Sequence, residues 1–331
     1  MKTDAEAVAR FREGLLRLWP EVEDPAARLG LAVSGGADST ALLLLATAAL
    51  SGRVEATTVD HGLRAEAAAE AAQVAALCVD LAVPHAALRV EVAGGNLQAE
   101  ARRARYAAMA GWIEERGLGA LATGHHADDQ AETLLMRLNR GSGVAGLAGA
   151  RARGVVPGTR IPLLRPLLDW RRVELEAVVT GAGITAVADP SNLDDRFDRV
   201  RMRKALQAVD WIDIPAVAAS AAYLSEADEV VEWVALREYR DHVRKEAMGL
   251  HYRPAAPRAA VLRVVARIVT ELDGESPRGR AVARLVDSLL AGKPASIGSL
   301  IVRPDIAGWS FTRAPARRAA PRKSPTSPSN S

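Results

Sequence analysis

The stretch Leu29-Gly-Leu-Ala-Val-Ser-Gly-Gly-Ala-Asp-Ser-Thr-Ala-Leu-Leu-Leu-Leu45 decides the fold. A short apolar run ends at Val33, two glycines follow, and an unbroken helix-forming run begins near Asp38. The order is strand, tight turn, helix. Gly35 and Gly36 tolerate positive φ and let the backbone approach a ligand closely. Ala37, Asp38, Ser39 and Thr40 fall in the first helical turn, whose N–H groups lack intrahelical acceptors, so the turn suits an anion. A longer glycine loop with Lys before Ser/Thr would mark the other common phosphate loop, and it is absent. The expectation is an anion held by the Ser34–Ser39 backbone and by the hydroxyls of Ser34, Ser39 and Thr40. Asp38 is then free to hold Mg²⁺.

A Gly-Gly turn between strand and helix is ordinary punctuation by itself. The full Ser34-Gly-Gly-Ala-Asp-Ser39 string is more specific. It resembles the pyrophosphate loop of the N-type ATP pyrophosphatases, which cleave ATP between its α and β phosphates. The loop points to that superfamily without choosing a member.

Outward from this loop the chain alternates. Strand-like runs occur at Leu29–Val33, Val54–Val59, Ala87–Val92 and Ala120–Thr123, and helical patterns at Ser39–Leu50, Ala65–Leu81, Leu97–Glu115 and Asp128–Leu138. An amphipathic helix carrying Val8, Phe11 and Leu15 leads in and ends near Pro20. This alternation predicts an α/β fold with a doubly wound parallel sheet. Ligands of such sheets bind at the carboxyl ends of the strands. Polar clusters fall there three times: Ser34–Ser39, Asp60-His61-Gly62-Leu63-Arg64, and Thr123-Gly124-His125-His126.

Two further stretches carry chemistry. In Asn96–Tyr106, Asn96 is a good N-cap, and Arg102, Arg105 and Tyr106 recur at i, i+3, i+4 on one helical face. In His125–Thr133, Asp128 and Asp129 open a helix, where acids suit the macrodipole. Asp129 and Glu132 are three apart and share a face, a two-carboxylate site for an ammonium group or Mg²⁺. The adjacent histidines lack the i, i+4 spacing of a helical zinc site.

Past Arg140-Gly-Ser-Gly143, a basic glycine-rich loop, come Ile161-Pro-Leu-Leu-Arg-Pro-Leu-Leu168, a helix from Asp169, and the turn Ala188-Asp-Pro-Ser-Asn192. Arg199-Val-Arg-Met-Arg-Lys204 then sets four cations in six positions, a phosphate contact or a solvated helix start. Near Pro215 the alternation stops. Residues 216–247 read as one long helix, Leu262–Leu272 and Arg280–Leu290 as two more, and Ser299–Arg303 with Trp309–Thr312 as a short β element. The expected domains are residues 1–215, a smaller mainly helical domain over 216–312, and a disordered basic tail over 313–331.

The 331 residues suffice for two domains, and 49% hydrophobic with 25% charged residues is ordinary for a globular protein. Net charge is +3 with pI about 9.2, and Arg supplies most of the positive charge, through phosphate recognition or a GC-rich genome. The single cysteine, Cys78, excludes an intramolecular disulfide and a cluster held by several cysteines of this chain. No signal peptide is apparent and Ala41–Leu50 is too short to span a bilayer, so a cytoplasmic protein with no membrane partner is expected.

Taken together the motifs resemble the bacterial tRNA(Ile)-lysidine synthetase family. The match runs through Ser34–Ser39, Val59-Asp-His-Gly-Leu-Arg64, Glu100-Ala-Arg-Arg-Ala-Arg-Tyr106, Thr123–Thr133, Arg140–Gly143 and Asp189–Asn192. It covers residues 28–205 closely. One departure is Val200, which stands where the family pattern has Asn. The resemblance implies an adenine nucleotide alpha hydrolase-like sheet and a ligase using ATP and Mg²⁺. Its partners would be free L-lysine and a tRNA(Ile) with a CAU anticodon; monomer and homodimer stay open. The wobble cytidine would be adenylated, and lysine would then displace AMP at C2. Carried over by motif, Asp38, Asp129, Glu132 and Arg105 are the catalytic candidates. Ser34 to Ser39, His61 and His125 would bind the nucleotide, and Arg102, Asp129, Glu132, Arg201 and Arg203 the other substrates. The main rival on this fold is tRNA 2-thiocytidine formation, whose iron–sulfur cluster a single cysteine does not support. A nucleotide-binding module without turnover is the non-enzymatic rival.

Overall fold

A computed structural model describes residues 3–60, 66–90, 97–186 and 194–314. The chain divides into two compact units, Met1–Glu226 and Ala227–Ser331. In the first, strands β1 (Leu29–Ala32), β2 (Val54–Asp60), β3 (His85–Arg89), β4 (Ala120–Thr123), β5 (Arg153–Val155) and β6 (Pro162–Leu164) form one sheet in the order β3-β2-β1-β4-β6-β5. All neighbours are parallel except the edge strand β5, which pairs antiparallel with β6. Successive strands step outward from β1 to β3, and β4 returns to the other side of β1. The switch point therefore lies between β1 and β4, where the Ser34–Gly36 turn leaves β1.

Helices cover both faces. α1 (Ala5–Leu18) starts on an Asp4 cap, whose carboxylate accepts the Ala7 N–H at 3.0 Å, and it buries Phe11 and Leu15. These pack with α2 (Ala37–Ala49), which is apolar all round and buries every residue from Ser39 to Ala46. A helix with so apolar a middle belongs between layers, with only its ends reaching the surface. α3 (Glu66–Asp80) buries Cys78 in the same core. On the other face α4 (Leu97–Arg116) buries Tyr106, Met109, Trp112 and Ile113, and a Cβ at Gly30 would lie 2.4 Å from the Ile113 Cδ1. Glycine at 30 lets α4 sit directly on β1. α5 (Ala127–Asn139), α6 (Val144–Leu147), α7 (Arg172–Gly181) and α8 (Asp198–Gln207) complete the unit.

The parallel sheet and its four strands β1 to β4 agree with the alternation read from the sequence. Strands β5 and β6 were not anticipated. At three residues each they are too short for a period to show, and β6 begins on a proline.

α9 (Ile214–His242) crosses the division, and the helix expected over 216–247 ends at His242. Val243–Glu246 leave it as β7 and pair antiparallel with β8 (Gly249–Tyr252), which buries Val243 and Tyr252 in the second core. Tertiary packing overrides local helix preference here. With β9 (Ala295–Ile297), β10 (Leu300–Pro304) and β11 (Trp309–Arg313) these strands form an antiparallel sheet, β7-β8-β11-β10-β9. Against it lie α10 (Arg258–Asp273) and α11 (Gly279–Leu290), which bury Val264, Val265, Ile268, Val286 and Leu289. The second unit thus has a five-stranded sheet beyond the short β element expected. Its Glu238 is a buried staple that accepts the Tyr252 hydroxyl at 3.0 Å and the Ala255 and Ala256 N–H groups at 2.7 and 3.1 Å. Arg313 belongs to β11 and donates to the Leu272 carbonyl, so the tail expected from 313 cannot begin before residue 314. No helix among the described residues is long and apolar enough to cross a membrane.

Candidate active site

At the end of β1 the chain turns through Ser34, Gly35 and Gly36 into α2, with Gly35 at φ 89°. That left-handed conformation strains any side chain with a Cβ and explains the glycine. Ser39 fastens the turn: its Oγ accepts the Ser34 N–H at 3.1 Å, donates to the Gly36 carbonyl at 3.0 Å, and lies 3.2 Å from the Ser34 Oγ. Thr40 donates to the Gly35 carbonyl at 3.3 Å. The Ser39 and Thr40 hydroxyls, expected to face the anion, are thus engaged in shaping the loop. No side chain caps α2, so its first-turn N–H groups remain for a ligand.

β4 brings the second cluster against this turn. Ala32 pairs with Thr123 in register, and the chain then passes through Gly124. A Cβ there would lie 2.9 Å from the Asp38 carbonyl oxygen and 3.1 Å from the Ser39 nitrogen. Only glycine lets the end of β4 pack on the first turn of α2. His126 follows, 1% exposed, with Nε2 3.4 Å from the Asp38 carboxylate and 3.7 Å from Asp129, and Nδ1 3.6 Å from Asp128. Burial alone would discharge this imidazole, but three carboxylates outweigh it and push its pKa up to about 10. His126 is therefore a cation that gathers Asp38, Asp128 and Asp129.

Each carboxylate is used differently. Asp128 accepts Arg171 in a fork at 3.2 and 3.2 Å and the Arg172 N–H at 2.8 Å, which ties the start of α5 to the start of α7. Burial opposes its charge, but His126 and these donors hold it well below the usual carboxylate range. Asp129 accepts the Arg199 guanidinium at 2.6 Å on one oxygen and the His126 N–H at 3.3 Å on the other. Burial raises its pKa while His126 and Arg199 lower it, and the net is downward. Glu132, 2% exposed, accepts Arg199 Nε at 2.8 Å and Arg203 Nε at 2.7 Å. Asp38 differs from all three. Its Oδ1 is buried with no partner, beside the uncapped end of α2.

That orphaned oxygen is what Mg²⁺ requires of a protein. The ion takes one or two carboxylates and completes its shell with substrate phosphates and water. Among the described residues no group of three or more His, Cys, Asp and Glu side chains is placed to hold an ion unaided. A single carboxylate next to an uncapped helix N-terminus fits an ion shared with a bound phosphate.

His125 turns the other way, with Nδ1 2.9 Å from the Thr123 hydroxyl. Burial, with Arg165, Arg199 and Arg102 nearby, outweighs Asp129 and lowers its pKa to about 4, so the ring is neutral at pH 7. The guanidinium of Arg102 lies 4.9 Å from the Tyr106 ring centroid and that of Arg105 5.5 Å. Arg199 and Arg203, on one face of α8, turn onto the Asp129–Glu132 pair, whereas Arg201 faces Asp198 and donates to the Asp195 carbonyl at 3.0 Å. Arg201 and Arg203, grouped by sequence, thus have different surroundings. Val200 is buried, so the position where the family pattern has Asn faces packing. His61 and Asp189–Asn192 lie outside the described residues.

Reasoning from sequence missed two members of this arrangement. His126 looked interchangeable with His125, and only burial among three carboxylates separates them. Arg165 follows β6; it is buried, and nothing in Ile161–Leu168 signalled a site. Cys78 is fully buried and its thiol is pushed up to about 11 by burial, an inert side chain.

A parallel sheet with a glycine turn and an uncapped helix at its switch point defines a PP-loop protein, and the PP-loop domain family matches residues 8–209. The chain is 46% identical over 317 residues to the tRNA(Ile)-lysidine synthase of Novosphingobium aromaticivorans, covering 95% of each chain. It is 44% identical over 299 residues to that of Zymomonas mobilis, covering 88% of this chain and 90% of the relative. The U34-tRNA thiolase NcsA from Methanococcus maripaludis, solved with its [4Fe-4S] cluster, shares the fold, with a TM-score of 0.54 at 15% identity over 67% of this chain and 79% of that one. The chain belongs to the tRNA(Ile)-lysidine synthase family of ligases.

Proposed function

We propose that the protein joins free L-lysine to C2 of the wobble cytidine of a tRNA(Ile) with a CAU anticodon, using ATP. The observation that carries this reading is the buried, unpartnered Asp38 Oδ1 at the uncapped N-terminus of α2, beside a carboxylate pair. Family membership supports tRNA(Ile) as the RNA substrate and lysidine formation as the outcome.

In the first step the cytidine C2 oxygen attacks the α-phosphorus of ATP and pyrophosphate leaves. The N–H groups of Ala37, Asp38 and Ser39 and the α2 dipole take the leaving group's charge. Asp38 would hold Mg²⁺, which when bound neutralises charge developing on the phosphates. His126 keeps Asp38 oriented through its 3.4 Å contact. In the second step the lysine amine displaces AMP at C2. An amino acid is a zwitterion, and its site needs both signs of charge. Asp129 and Glu132 supply the negative one for an ammonium group, and Arg199, bound to both and 44% exposed, can release one of them to take the lysine carboxylate. Arg105, beside Tyr106 on α4, is a further candidate, and neutral His125 adds no charge to repel the incoming amine.

The test is incorporation of labelled L-lysine into tRNA(Ile) with a CAU anticodon, with the methionine tRNA of the same anticodon as control. ATP-dependent labelling of the first and not the second is expected. Absence of labelling by folded protein with ATP and Mg²⁺ contradicts the reading.

A further inference from the structure

Four arginines gather beyond His125 with no carboxylate among the described residues acting on Arg105, Arg137 or Arg165. Arg165 immediately follows β6, and extending the β4–β6 register from Ala122↔Leu164 sets it level with Thr123. The parallel bridge between His126 and Leu167, shifted by one residue from that register, keeps the two chains side by side past the strand ends, so Arg165 stands at the ligand end of a third strand. It is 8% exposed. Its Nη1 donates to the Arg151 carbonyl at 2.6 Å, while its buried Nε has no partner. The Nε of Arg105 is likewise buried without a partner. Between them is Tyr106, 2% exposed, which interacts with both guanidiniums, and Arg102 lies over its ring. Arg137 stands within electrostatic reach of Arg102 and donates to the Gly146 carbonyl at 2.6 Å.

The energetics of this cluster are unfavourable as it stands. Burial, then the like charge of Arg102, pushes Arg105, Arg165 and Arg137 downward, with only Tyr106 opposing for the first two. No described carboxylate acts on any of the three. Elsewhere in this unit buried charge is matched: Glu55 meets Arg28 and Arg116, and Glu132 meets Arg199 and Arg203. An uncompensated buried guanidinium with a free N–H is unfavourable, and a ligand that supplies the missing charge relieves it. Planar forks select phosphate oxygens.

We propose that Arg165, with Arg105 and Arg102, forms a phosphate-binding pocket at the end of β6 that holds a phosphoryl group during the reaction. The group is a phosphodiester of the RNA beside the reacting cytidine or a phosphate of the nucleotide, which share this chemistry. Arg165 contacts that group through its free Nε. Only the naming of these two sources rests on the proposed function.

The experiment compares the full chain with Arg165→Gln and Arg165→Lys. Thermal melts are recorded without anion, with inorganic pyrophosphate, with ATP and Mg²⁺, and with an anticodon stem-loop RNA over a salt series. Without anion, Arg165→Gln melts no lower than the parent, because an uncompensated cation is removed, and a purely structural arginine would not behave so. With anion, its affinity for one source falls about tenfold or more. Loss confined to the RNA, with unchanged ATP and pyrophosphate binding, assigns the phosphodiester. Loss confined to pyrophosphate and ATP assigns the nucleotide. Should Arg165→Gln fail to fold, Arg165→Lys keeps the charge without the fork, and its affinity for the same anion still falls several-fold. Parent-like affinity for both anions in either folded variant overturns the proposal, as does a parent that neither anion stabilises. These readouts need no turnover. A parent that binds phosphate through Arg165 but incorporates no lysine would leave the pocket standing and remove the functional reading instead.

Discussion

Asp38 and His126 are the two residues on which the site's electrostatics turn. Replacing Asp38 with Asn keeps the shape and removes the charge from a side chain that is 34% exposed, so the fold should persist. Adenylate formation should fall about 100-fold or more, the scale expected when charge stabilisation worth several kcal/mol is lost. ATP–pyrophosphate exchange beside a thermal melt checks both halves. His126 has a pH signature. Its folded pKa, raised to about 10, lies above the ordinary value of 6.5, so its stabilisation is complete below pH 6.5 and is lost as pH rises toward 10. His125, lowered to about 4, acts on the other flank: the unfolded chain binds its proton first, and stability is lost as pH falls from 6.5 toward 4. Urea denaturation of the parent and His126→Asn at pH 6, 8 and about 9.5 should show the alkaline loss in the parent alone. Equal slopes would mean that His126 is neutral in the native protein. At this scale the chain was half legible. Residue types and spacing marked the turn and the acids, but which histidine is charged depends on burial that no spacing reveals.

Elements meet at two joints with consequences. Gly124→Ala would press a Cβ against the Asp38 carbonyl and the Ser39 nitrogen, so the end of β4 or the start of α2 must shift. ATP affinity should drop at least tenfold with only a modest fall in melting temperature if the displaced atoms hold the nucleotide as proposed. Titration of ATP with Mg²⁺ decides it, and parent-like affinity would show that the loop's placement is not critical. The second joint is α8 on α5, where Glu132 answers two guanidiniums from one buried carboxylate. Glu132→Gln should destabilise by about 1–3 kcal/mol, below the full value for a buried pair because Arg199 is partly exposed. Asp129→Asn, with one such contact, should raise the lysine KM about tenfold at smaller cost to stability. An unchanged lysine KM in both variants would make the pair purely structural. The strands β1 to β4 and their helices were readable because apolar runs and helical periods are long there. β5 and β6 were not, and Arg165 went unnoticed with them, since a residue acquires a site only when its strand is placed in the sheet.

The whole molecule carries cations in both of its units, and each set has its own expected share in binding RNA. Arg201 in the first unit and Arg240 and Arg244 in the second are all exposed or at the surface. Backbone contacts fix the register of a nucleic acid and are screened by salt. Arg240→Gln with Arg244→Gln should therefore raise the tRNA KM several-fold at low salt and lower the salt slope by up to about 2, leaving ATP affinity unchanged. A filter-binding series at increasing salt measures this, and parent-like binding throughout would make those arginines a solvated surface. The second unit was the least legible part. Its five strands are short, and the end of α9 at His242 is set by burial of Val243 and Tyr252 rather than by a local stop signal. The proposed chemistry is narrower than a whole-molecule role: a nucleotide would be cleaved at the α-phosphate on the turn that Ser34 to Ser39 form, with tRNA as the attacking partner. ATP–pyrophosphate exchange by the full chain, with and without tRNA(Ile) bearing CAU and without lysine, tests it most directly. Exchange should require the tRNA and be lost in Asp38→Asn. Exchange that proceeds without tRNA, or survives in that variant, would contradict it.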